Sequence, residues 1–275
     1  MSNLGEKKIA FIGSGIIAGV FIERLLKAGA TSPDRLFCTD VRADRLAQLQ
    51  LKYGVQVSSR NVDGVRFGDV VFLAVPPNVV LKTLAELQNE LREDQLIVSL
   101  AAAVPLPAME QAAGRDCAMI RVIPNTPSLV GAGMNPQSLG RNVRQEQLVF
   151  VDKLLALFGE TIRIDEELMN IATALTAVGP TYVFPVIKAL AEAAAKHGMA
   201  EEQALSAAAQ VLRGTAQLVL ETGRAPDELK QMIGTRTIKE DAVIPVFTEA
   251  LELAFAKIAE SQQKLTGRAQ VHASA

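Results

Sequence analysis

Short apolar segments alternate with stretches of helical periodicity through the first 165 residues. These segments, which are apolar runs rather than in/out alternations, are 8–12, 35–39, 55–57, 69–75, 96–100, 118–123 and 161–164. Continuous apolar segments are typical of parallel strands whose two faces are both covered by helices. The pattern therefore predicts an α/β fold, with a doubly wound, mainly parallel sheet over residues 1–165.

The pattern changes after Asp165, where the strand-like segments end. From Glu166 onward the chain is rich in alanine and leucine at helical spacing, which predicts an all-helical second domain over residues 166–275. The segment 168–187 carries no formal charge and is long enough for a membrane span. Its prolines, asparagine and threonines favour instead a helix that is buried in protein, for example at a subunit interface.

Composition and charge exclude several classes of function. The 275 residues are 49% apolar and 21% charged, with a formal net charge of −2 and basic residues spread along the chain. This distribution offers no basic patch, so neither nucleic acid nor a membrane is expected as a partner. Two cysteines far apart and two histidines without ligand spacing predict no disulfide framework and no metal site. A reducing, cytoplasmic location is therefore expected.

The first apolar segment leads into a glycine motif. Segment 8–12 is followed by GSGIIA, in which Gly13, Gly15 and Ala18 have the G-x-G-x-x-A spacing at a strand-to-helix turn. Gly13 permits the tight turn, Gly15 lets the backbone approach a pyrophosphate, and Ala18 allows close packing of the helix. Because a helix N-terminus also attracts phosphate, the motif predicts a dinucleotide site.

An acidic residue, Asp40, ends the second predicted strand. A carboxylate at this place accepts hydrogen bonds from the adenosine ribose and repels a 2′-phosphate, which favours NADH. Arg42 and Arg45 follow closely and favour NADPH, unless they are solvated residues at the start of a helix. The sequence leaves the choice between NAD and NADP open.

Three further segments follow predicted strands, namely AVPPN (74–78), SLAAA (99–103) and PNTP (124–127). Ligands of doubly wound sheets bind beyond the carboxyl ends of the strands, so all three segments are expected to face one crevice. The prolines of PNTP hold Asn125 in a stiff turn, which places its amide to bond the nicotinamide or the substrate. The alternative is that Asn125 caps the turn.

These motifs give the chain a resemblance to the pyrroline-5-carboxylate reductases over residues 7–260. The resemblance rests on GSGIIA, AVPPN, SLAAAV, RVIPNTPSLVGAG and ALTAVGPTYVFPVIKALAEAA. It implies a Rossmann domain followed by a helical domain that intertwines into homodimers, and the reduction of 1-pyrroline-5-carboxylate to proline with NADPH or NADH. The cofactor contacts that it implies are Gly13, Ser14, Gly15, Ile16, Ile17, Asp40, Val41, Arg42, Asn61, Ala74, Val75, Pro76, Pro77, Ala101, Ala102 and Asn125.

The chain departs from this family in two places. The family commonly has Asn-Arg at the end of the second strand, where this chain has Asp40-Val41. The substrate loop S-P-G-G-x-T of the family is reduced to IGTRTI (233–238), and its S-G-S is replaced by residues 176–178. Carried over by position, the substrate contacts that the resemblance implies are Asn125, Val178, Thr235, Arg236 and Thr237.

Thr237 aligns with the last threonine of the family loop, so its hydroxyl is expected to bond the imine nitrogen, and it is the predicted catalytic residue. Arg236 offers a planar fork for the substrate carboxylate, and an ion pair with Glu240 is the alternative. Reduction of a protonated imine depends chiefly on positioning, which suits a predicted site without histidine.

Three other functions stay open at this point. They are reduction of another cyclic imino acid, a dehydrogenase of the 3-hydroxyacid type, and a cofactor-binding regulator without catalysis. The dehydrogenase needs a lysine in a G-x-x-G-x-G-x-x-x-K pattern, which this chain lacks, because Lys188 follows Gly179 at a different spacing.

Overall fold

The apolar segments form one eight-stranded sheet in the computed structural model, which describes residues 4–273, with side chains to residue 267. The strands are β1 (Ile9–Ile12), β2 (Leu36–Thr39), β3 (Gln56–Ser58), β4 (Val70–Leu73), β5 (Leu96–Ser99), β6 (Ala118–Val122), β7 (Gly133–Leu139) and β8 (Gly159–Arg163). Their order across the sheet is β3-β2-β1-β4-β5-β6-β7-β8, and every neighbouring pair is parallel except β6 and β7. The predicted doubly wound, mainly parallel sheet is confirmed.

Strand β7 was not predicted from the sequence. Its residues, GMNPQSL, include Pro136 and lack a continuous apolar segment, although β7 lies between β6 and β8 inside the sheet. The buried side chains Asn135 and Gln137 each donate a hydrogen bond, Asn135 to the Glu160 carbonyl at 3.1 Å and Gln137 to Asp152 at 2.8 Å. Partners from other elements therefore stabilise a polar strand that an apolar pattern cannot reveal.

Six helices follow the strands of the first 165 residues: α1 (Ile16–Lys27), α2 (Ala43–Tyr53), α3 (Asn61–Phe67), α4 (Pro77–Leu87), α5 (Leu106–Ala113) and α6 (Gln145–Leu155). Alternate strand residues point to opposite faces, so Phe11 and Phe72 belong to one buried cluster, and Ile12 and Leu73 belong to another. The rings of Phe11 and Phe72 stack with their centroids 5.0 Å apart. Full burial of each such side chain contributes roughly 1.5–3 kcal/mol.

Helices alone follow β8 among the described residues, which confirms the predicted helical region. They are α7 (Met169–Thr176), α8 (Pro180–Lys196), α9 (Glu201–Thr222), α10 (Pro226–Lys230) and α11 (Glu240–Ala273). The chain up to Ala177 and the part of α11 from Ala254 onward belong to one compact unit, and Val178–Leu253 form a second. The division into functional domains after residue 165 stays a prediction.

Within each unit, the helices are held by a few specific contacts. In the first unit, Asn170 of α7 donates to Gln262 of α11 at 2.8 Å, and Leu265 packs against the cluster that contains Ile12. In the second unit, the buried apolar cluster of α8 and α9 consists of Ala191, Ala204 and Ala208. This cluster is small, because alanine side chains bury little apolar area.

One helical stretch, Glu166–Lys196, has the length and composition of a membrane span, and it is the one such stretch in the described chain. Of its most apolar window, 11% is buried within this chain. A single stretch of this kind is weak evidence for a membrane span, because core helices of soluble proteins pass the same test. Within one copy of the chain, the α7 part of segment 168–187 is largely buried, whereas its α8 part is largely exposed.

Ala103 lies in the turn between β5 and α5 and has a φ of 59°, the one positive φ at a non-glycine residue of the described chain. An L-residue in this left-handed region brings its Cβ close to the backbone carbonyl, which costs roughly 1–2 kcal/mol. Ala103 is buried in this turn.

We expect Ala103→Gly to leave the free energy of unfolding unchanged or to raise it by up to about 1 kcal/mol, because glycine relieves the strain but gains freedom in the unfolded chain. The matched control is Ala102→Gly at a neighbouring position without a positive φ, which should lose roughly 0.5–1 kcal/mol. Urea unfolding measures both. Equal destabilisation by the two substitutions would contradict the assignment of strain to Ala103.

Candidate functional site

The carboxyl ends of four parallel strands lie in register. Ile12 of β1 pairs with Thr39 of β2 and with Leu73 of β4, and Leu73 pairs with Ser99 of β5. The strand order reverses between β1 and β4, which is where doubly wound sheets bind ligands. The loops that contain the predicted cofactor residues therefore begin at one edge of the sheet.

The turn after β1 requires glycine. Gly13 has a φ of +88°, and its amide donates to the Thr39 carbonyl at 2.9 Å. A Cβ at this position would lie 2.8 Å from both the Ala74 oxygen and the Val75 nitrogen. Ser14 is fully buried, and its hydroxyl also donates to the Thr39 carbonyl, at 2.9 Å. The two hydrogen bonds hold the glycine turn against β2, and the loop after β4 passes too close to Gly13 to leave room for a side chain.

The N-terminus of α1 is open to a ligand. Gly15 is the N-cap residue, no side chain caps the helix, and a Cβ at Gly15 would meet no atom within 4 Å. Ile16 is 83% exposed, whereas Ala18 is fully buried against the sheet. Uncapped helix amides beside open space suit an anion, so these residues fit the pyrophosphate of a dinucleotide.

Asp40 is tied to both the glycine turn and its own loop. One carboxylate oxygen accepts the Ser14 amide at 2.9 Å, and the other accepts the Arg42 amide at 3.0 Å. The Arg42 guanidinium donates to both oxygens, at 3.1 and 3.2 Å. Burial by itself would raise the pKa of the Asp40 carboxyl, but the hydrogen bonds from the Arg42 side chain and from the two amides outweigh it and lower this pKa.

Arg45 also has partners in the glycine turn. Its Nε donates to the Ser14 carbonyl at 2.6 Å, and its Nη2 donates to the Gly15 carbonyl at 3.3 Å. Arg42 and Arg45, the two arginines expected from the sequence as possible partners of a 2′-phosphate, thus both make hydrogen bonds within the chain. A 2′-phosphate would compete with the bond between Arg42 and Asp40 or with the bonds between Arg45 and the turn.

The other predicted cofactor residues belong to loops at the same edge. Asn61 begins α3 and accepts a hydrogen bond from the Thr39 hydroxyl at 2.7 Å. Ala74 donates its amide to the Ile12 carbonyl at 2.8 Å, and α4 begins shortly after it, at Pro77. The remaining members differ in exposure, from the buried Ala101 to the fully exposed Val41. Their contacts with a cofactor stay predictions.

The Asn125 side chain holds the PNTP turn to other elements. Its Nδ2 donates to the Thr176 carbonyl of α7 at 3.1 Å, and its Oδ1 accepts the Met134 amide of β7 at 3.1 Å. The Asn125 side chain makes no cap hydrogen bond to its own turn, so the capping role that was the alternative is not formed. The role of Asn125 as a ligand contact stays a prediction.

The predicted substrate residues Val178, Thr235, Arg236 and Thr237 belong to the second unit. In the exposed loop, Arg236 donates to Gln231 at 2.8 Å and to the Ile233 carbonyl at 3.4 Å. The alternative ion pair between Arg236 and Glu240 is not formed, and Glu240 accepts a hydrogen bond from Lys230 at 2.7 Å.

Sequence reasoning missed a buried ion pair beside the predicted site. Arg121 of β6 is 1% exposed and lies 2.5 Å from Glu166, which is 19% exposed. The signal in the sequence is a charged residue inside the apolar segment AMIRVI, because an arginine within a buried strand needs an acidic partner.

Neither a thiol nor a metal cluster adds chemistry at this edge of the sheet. Burial raises the pKa of the Cys38 thiol to about 12, so Cys38 is not a nucleophile at neutral pH. Within residues 4–267 no group of three or more His, Cys, Asp or Glu residues has the arrangement of a metal site.

Comparisons with known proteins agree with this architecture. Residues 8–103 match the family described as NADP oxidoreductase, coenzyme F420-dependent, and residues 166–261 match the pyrroline-5-carboxylate reductase dimerisation family. The pyrroline-5-carboxylate reductase of Escherichia coli (strain K12) is 35% identical over 266 residues, which are 95% of this chain and 99% of that protein.

Two solved structures are similar over most of the chain. A pyrroline-5-carboxylate reductase from Coxiella burnetii is 29% identical with a TM-score of 0.78, covering 94% of this chain and 98% of that one. The Plasmodium falciparum pyrroline carboxylate reductase with NADP bound has a TM-score of 0.80 at 22% identity, with the same coverage, and this likeness concerns the fold. Identity above one third along nearly the whole length, together with the glycine turn and the helical region, leads to one conclusion: this chain belongs to the pyrroline-5-carboxylate reductase family.

Proposed function

We propose that this chain is an oxidoreductase that reduces 1-pyrroline-5-carboxylate to proline by hydride transfer from NAD(P)H. The observation that carries the proposal is the glycine turn at the reversal of strand order, with an uncapped helix N-terminus and open space at Gly15, in a member of this reductase family. The tight turn at Gly13 is required by the chain's own backbone, whereas the open space beside the uncapped amides at Gly15 is what suits the phosphates of a cofactor.

In this proposal, the loops at the carboxyl edge hold and orient the cofactor. The amides from Gly13 to Ile17 hold the pyrophosphate, and Asp40 lies on the adenosine side of the strand reversal. The loops after β4 and β5, with Ala74 to Pro77 and with Ala101 and Ala102, then lie on the nicotinamide side. When bound, the reduced nicotinamide supplies the hydride.

The chain needs no strong acid for this reaction. A protonated cyclic imine is already electrophilic, so orientation of the imine carbon against the hydride donor supplies most of the acceleration. We assign to the Thr237 hydroxyl the hydrogen bond to the imine nitrogen, and to the Arg236 guanidinium the substrate carboxylate. Residues 1–165 would hold the cofactor, and residues 166–275 would supply dimerisation and substrate contacts.

Because the loop 233–238 departs from the substrate loop of the family, the proposed activity is best tested with several substrates. We expect wild-type protein to oxidise NADPH or NADH with 1-pyrroline-5-carboxylate, and less efficiently with six-membered cyclic imino acids. Steady-state rates on this panel, with both cofactors, measure the outcome. A higher kcat/KM for another imine would identify that imine as the substrate in place of 1-pyrroline-5-carboxylate. Nucleotide binding without turnover of any imine would favour the alternative of a cofactor-binding regulator.

The same assay tests the substrate loop. Arg236→Ala should remove a charge-assisted hydrogen bond worth about 1.5–3 kcal/mol, which raises KM roughly ten- to a hundredfold. Thr237→Val should lower kcat, since its contact strengthens as the amine forms. Arg224→Ala is the control, because Arg224 is exposed and pairs with Glu228 at 3.5 Å. Wild-type kinetics in both loop variants would exclude this loop from the substrate site.

We propose further that NADH is preferred over NADPH. The support is local: Asp40 keeps a charged carboxylate beside the glycine turn, and Arg42 and Arg45 already have partners. An NADPH 2′-phosphate near Asp40 would therefore meet a negative charge and no unpaired arginine of this pair.

Asp40→Ser should raise the ratio of kcat/KM for NADPH to that for NADH by roughly tenfold, because like charges about 4 Å apart repel by about 1 kcal/mol or more, and because Arg42 is released. The control is Asp44→Ser, which removes a nearby exposed carboxylate from α2. An equal change in both variants would mean that net charge, rather than the position of Asp40, sets the preference.

We also propose a homodimer, which the helical region forms in the cytoplasm. Large apolar side chains are exposed on α8, α9 and α11, among them Phe184 at 58%, Leu220 at 82% and Val246 at 61%. Soluble monomers rarely expose apolar surface on this scale, and the alanine cluster of the second unit buries little. A second copy would cover the segment 168–187 without a membrane.

Phe184→Glu should convert the dimer to monomers at micromolar concentration, because a charge would be buried at the interface. Lys82→Glu, on α4 outside the helical region and paired with Glu86 at 3.7 Å, is the control and should stay dimeric. Light scattering measures both. A folded, active wild-type monomer would refute the dimer, and a dimeric Phe184→Glu protein would exclude α8 from the interface.

A further inference from the structure

A buried arginine connects two elements at the edge of the candidate site. Arg121 lies on β6, its side chain is 1% exposed, and its Nε donates to the Ala101 carbonyl at 3.3 Å. Its Nη1 donates to Glu166 at 2.5 Å, while Nη2 is buried and donates no hydrogen bond to the described protein atoms. Burial lowers the pKa of the Arg121 guanidinium, with Glu166 acting in the opposite direction, and an arginine remains protonated under such conditions.

Glu166 gathers three donors from separate elements. The oxygen that accepts Arg121 also accepts the Leu106 amide at 3.1 Å, at the first residue of α5. The other oxygen accepts the Ser138 hydroxyl of β7. One carboxylate thus joins β6, β7 and the start of α5.

These bonds fasten both ends of the loop 101–105. Arg121 holds the Ala101 carbonyl at its beginning, and Glu166 holds the Leu106 amide at its end. Between these points lies Ala103 with its φ of 59°. A strained turn persists only where its surroundings determine it, and the Arg121–Glu166 pair supplies two of the contacts that do so.

Stability alone is a poor explanation for this pair. Desolvation of two charges offsets much of their attraction, so buried ion pairs are often no more stabilising than apolar side chains of the same volume. The pair does fix the orientation of the groups that it bonds, because the planar guanidinium can bond a carboxylate and a carbonyl at once in a fixed geometry.

We propose that Arg121 and Glu166 are positioning residues, which hold the 101–105 loop in the conformation that receives the nicotinamide half of the cofactor. The proposal rests on the proposed function for the identity of the cofactor. Neither residue touches the reacting atoms; both act through the backbone of Ala101 and Leu106. Loosening the pair should therefore weaken cofactor binding and raise loop mobility without unfolding the sheet.

The test uses the full chain with Arg121→Lys, which keeps the charge and loses the fork, and Glu166→Gln, which keeps the shape and loses the charge. The matched control is Arg141→Lys. Arg141 is exposed and pairs at 3.0 Å with Glu110 of α5, the helix that follows the 101–105 loop. Amide hydrogen exchange is followed in residues 101–106, with residues 9–12 of β1 reporting global stability. Fluorescence titration gives the Kd for NADPH and for NADH.

In both variants we expect exchange in 101–106 to accelerate at least tenfold, Kd and cofactor KM to rise roughly tenfold, and kcat to change less. Exchange in β1 should accelerate by a smaller factor than exchange in 101–106, because breaking a buried pair also lowers global stability, and all values for Arg141→Lys should stay at wild-type levels. Wild-type exchange and Kd in either folded variant would overturn the proposal. A decrease in kcat with unchanged Kd would also overturn the proposal. Hydrogen exchange that accelerates as much in β1 as in residues 101–106 would overturn it too.

Two other outcomes, unfolding of both variants and an inactive wild-type protein, can still be interpreted. If both variants unfold, Ser138→Ala removes one hydrogen bond to Glu166 without leaving a buried charge, and it must show faster exchange in 101–106 and a higher Kd for the proposal to stand. If wild-type protein binds NADPH but does not reduce 1-pyrroline-5-carboxylate, the proposed function fails, whereas exchange and Kd still decide whether the pair positions the loop.

Discussion

Backbone hydrogen bonds between the carboxyl ends of β1, β2 and β4 are the constraint on which the candidate site depends. The Gly13 amide bonds the Thr39 carbonyl at 2.9 Å, and the Ala74 amide bonds the Ile12 carbonyl at 2.8 Å. Because the three strands end in register, the chain must turn in a narrow space, and the turn at Gly13 leaves no room for a Cβ. The same constraint directs the N-terminus of α1 toward open space, so the geometry that closes the turn also creates the place for an anion.

Charged side chains around this edge are mostly paired with one another or with the backbone. Asp40 satisfies the Ser14 amide and the Arg42 guanidinium, Arg45 bonds the glycine-turn carbonyls, and Arg121 is matched by Glu166. Such pairing fixes loop positions before any ligand arrives, which lowers the entropic cost of binding. It also means that a change of cofactor preference requires a rearrangement of these pairs rather than a single new contact.

The helical region obeys a different constraint. A sheet covered by helices buries its strands within one chain, whereas α8 and α9 share a buried cluster of three alanines and leave large apolar side chains exposed. Dimerisation in the proposed form would resolve this imbalance, because a second copy of the same surface supplies the missing apolar partner. The departures from the family at residues 176–178 and 233–238 lie in or next to this region, whereas the glycine motif of the cofactor loops is kept.

The sequence by itself determined the features that depend on neighbouring residues: continuous apolar strands, the glycine spacing from Gly13 to Ala18, and the change to helical periodicity after Asp165. From these features the sheet, the helical region and the glycine turn were predictable, because each is encoded within a few consecutive positions. Strand β7 was not, since buried polar residues such as Asn135 find their partners far along the chain. Only the tertiary structure decided that Asn125 bonds Thr176, that Arg42 bonds Asp40, and that Arg121 meets Glu166 across the sheet edge. The physical reason is that hydrogen bonding and charge pairing select among many chemically equivalent partners, and the three-dimensional path of the chain makes that selection.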